Sequence, residues 1–212
     1  MRKLFLTTLT IMLLPFAAYA AETRIGISAA FSNFESSGSE TLKSSSKKTS
    51  KSVSEDVVVP GFFIERANDD GVTLGFEFNP GEADLGSGTG TDDDAETSGA
   101  NKASAEVSEH MSVYGLLPMG KAYFRFGLVR ASIDTTEKLA TGTVYGNEDV
   151  DGKILGLGYQ KDLPMAFLRV EGTYTDYDDV KYLGALDSDS VRNTIEADVD
   201  ATAIKISLGR AF

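Results

Sequence analysis

The last ten residues, Ala203-Ile-Lys-Ile-Ser-Leu-Gly-Arg-Ala-Phe212, decide the fold class. Taken alternately, Ile204, Ile206, Leu208, Arg210 and Phe212 fall on one face, and Ala203, Lys205, Ser207, Gly209 and Ala211 on the other. That period of two marks a strand with one apolar side. At the opposite end, Met1-Arg-Lys leads an apolar stretch to Ala17 and the small-residue site Ala18-Tyr-Ala20, the pattern of a secretory signal peptide whose apolar core is too short to cross a bilayer. The expected organisation is a leader over 1–20 and one exported domain over 21–212.

Composition narrows the class. The chain has no cysteine, so no disulfide framework, thiolate chemistry or cysteine metal site is available to it. Its formal net charge is −12, and loss of Arg2 and Lys3 with the leader makes it more acidic still, which excludes a nucleic-acid partner. Beyond the leader no apolar run is long enough for a membrane helix. Strands escape that test, because only alternate residues need be apolar.

Short and long connections alternate along the chain. Ala67-Asn-Asp-Asp-Gly71, Leu117-Pro-Met-Gly-Lys121 and Lys161-Asp-Leu-Pro-Met165 carry turn chemistry. Between them stand long polar segments, Glu35–Asp56, Asn79–Lys102, Asp134–Asp151 and Asp176–Glu196, which read as loops. Three turns and four loops predict an all-β, eight-stranded antiparallel up-and-down barrel. By the bacterial rule, the turns and both chain ends would be periplasmic and the loops extracellular.

The strands follow the same period. Ile25, Ile27, Ala29 and Phe31 oppose Arg24, Gly26, Ser28 and Ala30; Val72, Leu74, Phe76 and Phe78 oppose Thr73, Gly75 and Glu77. Phe124, Phe126 and Leu128 oppose Arg125 and Gly127. Leu155, Leu157 and Tyr159 oppose Gly156, Gly158 and Gln160, and Leu168, Val170 and Tyr174 oppose Arg169, Glu171 and Thr173. Two strands are harder. Pro60 cannot donate to a ladder, so a bulge or a late strand start is expected there. In the fourth strand, the phase that sends Val107, Met111 and Val113 outward sends Glu109 outward too, a cost avoided only at the rim.

A soluble barrel with its apolar face inside would show the same alternation. Two features favour the membrane form. The non-lipid face is rich in small residues with sparse charge of both signs. Aromatics also cluster near strand ends: Tyr123, Phe124, Tyr159, Phe167 and Phe212 low, and Phe31, Phe78, Tyr174 and Tyr177 high. Ala67-Asn-Asp-Asp-Gly-Val-Thr-Leu-Gly-Phe-Glu-Phe78, Phe124-Arg-Phe-Gly-Leu-Val129, Ile154-Leu-Gly-Leu-Gly-Tyr159 and the terminal Phe212 resemble the small eight-stranded outer-membrane barrels of the outer-membrane protein A, X and opacity type. The resemblance implies a place in the cell outer membrane, and a role among those of adhesins, envelope-stabilising proteins and narrow pores. Partners would be outer-membrane lipid, lipopolysaccharide and the assembly machinery, for which Phe212 is the expected signal. A monomer is expected.

Inward positions include Arg24, Glu65, Glu77, His110, Arg125, Arg169, Glu171 and Lys205, a polar network in a space where an unpaired charge is costly. Arg24 with Glu65 and Glu171 with Lys205 are the expected pairs, packed as a static plug. The alternative is a narrow porin-like channel gated by the charge pairs. The acidic stretches at Asp92-Asp-Asp94 with Glu96 and at Asp176, Asp178, Asp179, Asp187 and Asp189 suit divalent cations, but their spacing is no ordered metal loop, so no metal or cofactor site is assigned. Ser44-Ser-Ser-Lys-Lys-Thr-Ser-Lys51 forms a basic patch. His110 and Ser112 share a face, as in barrel-type lipid A deacylases, with Glu109 or Glu77 as the orienting acid. Their expected inward placement denies them acyl chains. The reading is therefore a non-enzymatic outer-membrane barrel that displays acidic loops, for surface interaction or envelope integrity.

Overall fold

The computed structural model describes residues 22–42, 47–92, 99–138, 147–183 and 194–212. Ten strands form one antiparallel sheet: β1 Glu22–Leu42, β2 Lys47–Ala67, β3 Thr73–Asn79, β4 Ala83–Asp92, β5 Gly99–Met119, β6 Ala122–Lys138, β7 Glu148–Asp162, β8 Phe167–Tyr177, β9 Val180–Leu183 and β10 Thr194–Ala211. β4 continues β3 past a break and pairs with β5, and β9 continues β8 and pairs with β10. The ring thus has eight staves, closed by β1 on β10 from Arg24↔Ala211 to Thr41↔Thr194. Tight turns at 68–72, 120–121 and 163–166 lie at the end that holds both Glu22 and Phe212. Gly71 (φ 83°) and Gly120 (φ 73°) supply the left-handed backbone that two of them need.

The first two long polar segments, Glu35–Asp56 and Asn79–Lys102, are mostly ladder, not loop. β1 and β2 stay paired as far as Leu42↔Lys47, and β4 and β5 as far as Asp92↔Gly99. Their serines, threonines and charges mask the strands, because a strand with polar outer residues need not be apolar on alternate positions. The remaining connections lie outside the described residues, and with them Asp93, Asp94, Glu96, Asp187, Asp189 and the first three residues, Ser44 to Ser46, of the basic serine patch.

Each wall changes its polarity part-way up. In the lower half Ile25, Ile27, Phe31, Phe62, Ile64, Leu155, Leu157, Ile204, Ile206 and Leu208 are exposed on the outside. Above a ring at about the level of Asn33, Asp56, Arg130, Lys153, Asp176 and Thr202, the outer face is polar and the apolar residues turn inward. There Phe34, Val107, Val129, Ala131, Ile133, Val150, Ile154, Tyr177, Val199 and Ala201 form one buried cluster. On β10 the outward Ile204 is 61% exposed, whereas the inward Val199 is 7% exposed. The lower half is a membrane barrel and the upper half packs as a soluble one does.

Most strands make this change in sequence, by moving their apolar residues from one parity to the other, as from Leu155 and Leu157 to Val150 and Ile154. β5 makes it in the backbone. Against β6 its register jumps between Ser108↔Ser132 and Met111↔Arg130, so Glu109 and His110 oppose the single Ala131, and Glu109 takes φ 47°. Val107, expected outside with Met111 and Val113, is therefore inside and only 5% exposed. Identical parity in sequence lands on opposite faces because the bulge inserts one residue.

Pro60 causes neither a bulge nor a late start in its own strand. β2 runs through it in unbroken register with β1, at Ala29↔Pro60. The interruption falls on the other side: the β2–β3 ladder stops at Phe62↔Phe78, and Pro80, Gly81 and Glu82 separate β3 from β4. The proline's missing donor faces a neighbour that has itself left the ladder. The expected aromatic girdle also needs correction: Tyr123, Phe167 and Tyr177 are buried in the interior, while Phe31, Tyr159, Tyr174 and Phe212 face outward.

A closed ladder should resist detergent until heated, so the folded protein is expected to migrate differently on gels before and after boiling. Identical migration would argue against closure. Deleting Glu109 leaves His110 alone opposite Ala131, with Ser108↔Ser132 and Met111↔Arg130 unchanged, so Val107 should stay inside. The expected result is a variant that keeps its gel shift and whose extension resists protease as the parent's does; an extension cut readily by protease would show that more than one extra residue separates the two phases.

Candidate functional site

The lower lumen is filled by side chains from facing walls. Alternation sends Glu65 of β2, Glu77 of β3, Arg125 of β6, Arg169 and Glu171 of β8 and Lys205 of β10 inward, and all are buried. Arg169 meets Glu65 with both terminal nitrogens, at 2.6 and 2.9 Å, and Tyr114 donates to the same carboxylate at 2.8 Å. Arg125 donates to Glu77 at 2.9 Å and to Glu171 at 3.1 Å. Lys205 bridges these two carboxylates at 2.8 and 2.9 Å, and Ser28 donates to Glu77 at 2.6 Å. Arg125, Arg169 and Lys205 balance Glu65, Glu77 and Glu171, so the layer is neutral.

Aromatic rings complete it. The Arg125 guanidinium lies 3.6 Å from the centre of the Tyr114 ring, and that of Arg169 lies 4.5 Å from the Phe167 ring. These rings lie flat against the wall over glycines: a Cβ on Gly75 would meet Tyr114 at 2.4 Å, and one on Gly158 would meet Tyr123 at 2.2 Å. The glycines that made this face look sparse in sequence are the space the rings occupy.

Arg24 and Glu65 are ladder neighbours but do not pair. Arg24 Nε instead donates to Glu22 at 2.7 Å, nearer the rim, while Glu65 is taken from across the lumen. A guanidinium that meets both oxygens of a carboxylate makes the better-matched contact. Glu171 and Lys205, directly opposite on β8 and β10, do meet.

Above this layer His110 and Ser112 face inward, but neither bonds the other. Ser112 accepts from Arg125 at 3.2 Å, and His110 Nδ1 lies 3.0 Å from Asn79 Oδ1. Together with Glu77, Arg125 and Lys205 they line a cavity of about 60 Å³, roofed by Phe34, Val107, Ile154, Tyr177 and Ala201. The layer below it and the apolar cluster above it both lie across the bore. Asn79, Tyr114 and an apolar roof were not singled out in the sequence; the shift of apolar parity within the strands other than β5 was the signal that marked the roof.

Outside, the ring where polarity changes is laced by cross-strand contacts. Arg130 holds Asp151 at 2.6 and 2.7 Å, Asn33 donates to Asp56 at 2.8 Å, and Tyr174 donates to Asp200 at 2.6 Å. Higher up, Lys181 lies 3.1 Å from Glu196 and holds its carboxyl below the usual range by that hydrogen bond and by its charge. Among the described residues no group of His, Asp and Glu side chains is arranged to hold a metal ion. At the lower rim Phe212 is exposed, its backbone exchanging two hydrogen bonds with Thr23 at 2.8 and 3.1 Å.

Solved structures share the barrel fold. The outer membrane protein OprG of Pseudomonas aeruginosa superposes with a TM-score of 0.56 over 92% of this chain and 97% of its own, at 15% identity. The fold is that of an outer-membrane β-barrel. The outer membrane protease OmpT of Escherichia coli also shares it, with a TM-score of 0.54 over 91% and 97% of the two chains, at 8% identity. No protein-family model and no curated protein sequence matches the chain. The apolar belt gives this outer-membrane barrel its lipid-contacting surface.

The charge layer should carry much of the barrel's stability. Arg169→Met leaves Glu65 buried without its cation, at an expected cost of about 3–5 kcal/mol, and adding Glu65→Gln should recover most of it. Urea unfolding in lipid vesicles measures both; independent, additive effects would show that the contact contributes nothing.

Proposed function

We propose that this outer-membrane barrel is a non-enzymatic, non-conducting scaffold that raises its surface connections clear of the lipid, for surface interaction or envelope integrity. The observation that carries the reading is the inversion of polarity up the wall. A bare loop would need no core, whereas here the strands continue above the belt around a packed apolar interior. From Asn33 to Leu42, β1 rises by roughly 20 Å at the usual strand rise and barrel tilt. The outer face of this extension carries exposed Glu35, Glu106, Asp149, Asp176, Glu196 and Asp198, so whatever it meets meets an acidic stalk.

In this reading 1–20 is the leader, the short turns lie in the periplasm, the extension points outward among lipopolysaccharide, and Phe212 is presented to the assembly machinery. Divalent cations would be drawn to the acidic surface. Lumen chemistry supports a plug: Ser112 and His110 are each engaged by another residue, and the lumen is crossed by two layers.

Reconstituted in planar bilayers, the protein should give no discrete conductance steps. Reproducible steps that change with Lys205→Met would instead establish a channel gated by the charge pairs. With lipid A or with peptides no product should form, and release abolished by both His110→Asn and Ser112→Ala would overturn the non-enzymatic reading. For display itself, Ile133→Asn should make the extension protease-sensitive on intact cells while the barrel remains inserted. Unchanged resistance would remove the core from the argument.

A further inference from the structure

We propose that the cavity between the charge layer and the apolar roof is a binding site for a small neutral molecule that donates a hydrogen bond, with His110 Nε2 as the acceptor. The orientation of the imidazole follows from its neighbours. Asn79 Nδ2 donates to the Pro60 carbonyl at 3.1 Å, which turns Asn79 Oδ1 toward His110. An oxygen can only accept, so Nδ1 carries the proton and Nε2 keeps its lone pair. No hydrogen bond to Nε2 comes from the described residues, and the ring stands edge-on to Tyr177, with centres 6.3 Å apart.

The other walls define the ligand. Arg125 and Lys205 on the floor are already matched by Glu77 and Glu171, so the site offers no free charge to an ion. Phe34, Val107, Ile154 and Ala201 favour an apolar body. The volume of about 60 Å³ is less than half that of the roughly 150 Å³ engineered cavity that takes benzene, which limits the guest to three or four non-hydrogen atoms. A short-chain alcohol has this chemistry: one donor for Nε2 and a short alkyl tail for the roof.

His110 is the sole histidine of the chain, which makes it its own reporter. The full protein in detergent micelles, labelled with ¹⁵N at histidine, is titrated with 1-propanol. The Nε2 resonance should shift saturably, while acetone, of similar size but without a donor, should leave it in place. Ala201→Phe and, separately, Ala203→Leu fill the cavity from β10 and should abolish the shift in whichever variant retains its gel shift. An unsaturable response, an equal response to acetone, or a response that survives both fillings would overturn the site.

Discussion

Every backbone N–H and C=O that faces hydrocarbon must be paired within the protein, and this one requirement organises the rest. It is met by closing the ladder of β1 on β10, far apart in sequence, which leaves no edge in the lipid. Closure then fixes the circumference. Eight staves enclose a bore only as wide as its own side chains, and whatever the inner face carries must be satisfied there.

Below the ring, three cations and three carboxylates satisfy one another across the bore. Neutrality alone would not suffice. Arg169 meets both oxygens of Glu65, and Arg125 and Lys205 both contact Glu77 and Glu171, so that the buried charges are also hydrogen-bonded. Above the ring the same bore is filled by apolar residues, because there the outside is water and the hydrophobic face has only the interior in which to hide. The solvent changes along the barrel axis and the sequence changes face with it. The cavity lies where one filling gives way to the other, since neither layer's side chains reach into the other's.

The bulge of β5 and the break after β3 belong to the same transition. Glu109 accepts a left-handed backbone so that Val107 can join the interior, and Pro80 to Glu82 interrupt a stave beside Pro60. Both lie close to the height at which the polarity turns over, where the ladder must accommodate a change of face.

The number of staves, their up-and-down order, the outward belt and the charged character of the lower lumen were legible in the sequence, since each depends only on a period of two and on turn residues. The contrast of Ile204, Ile206 and Leu208 with Lys205 already states which face meets lipid. Pairing of Glu171 with Lys205 was legible too, because neighbours on the ladder are neighbours in register. The partner of Glu65 was not: Arg169 reaches it across the bore from a distant strand, and a distance across a barrel exists only once the barrel is closed. Nor was the side taken by Val107, which a single inserted residue decides. Local alternation determined the architecture; closure and one backbone irregularity determined which side chains meet.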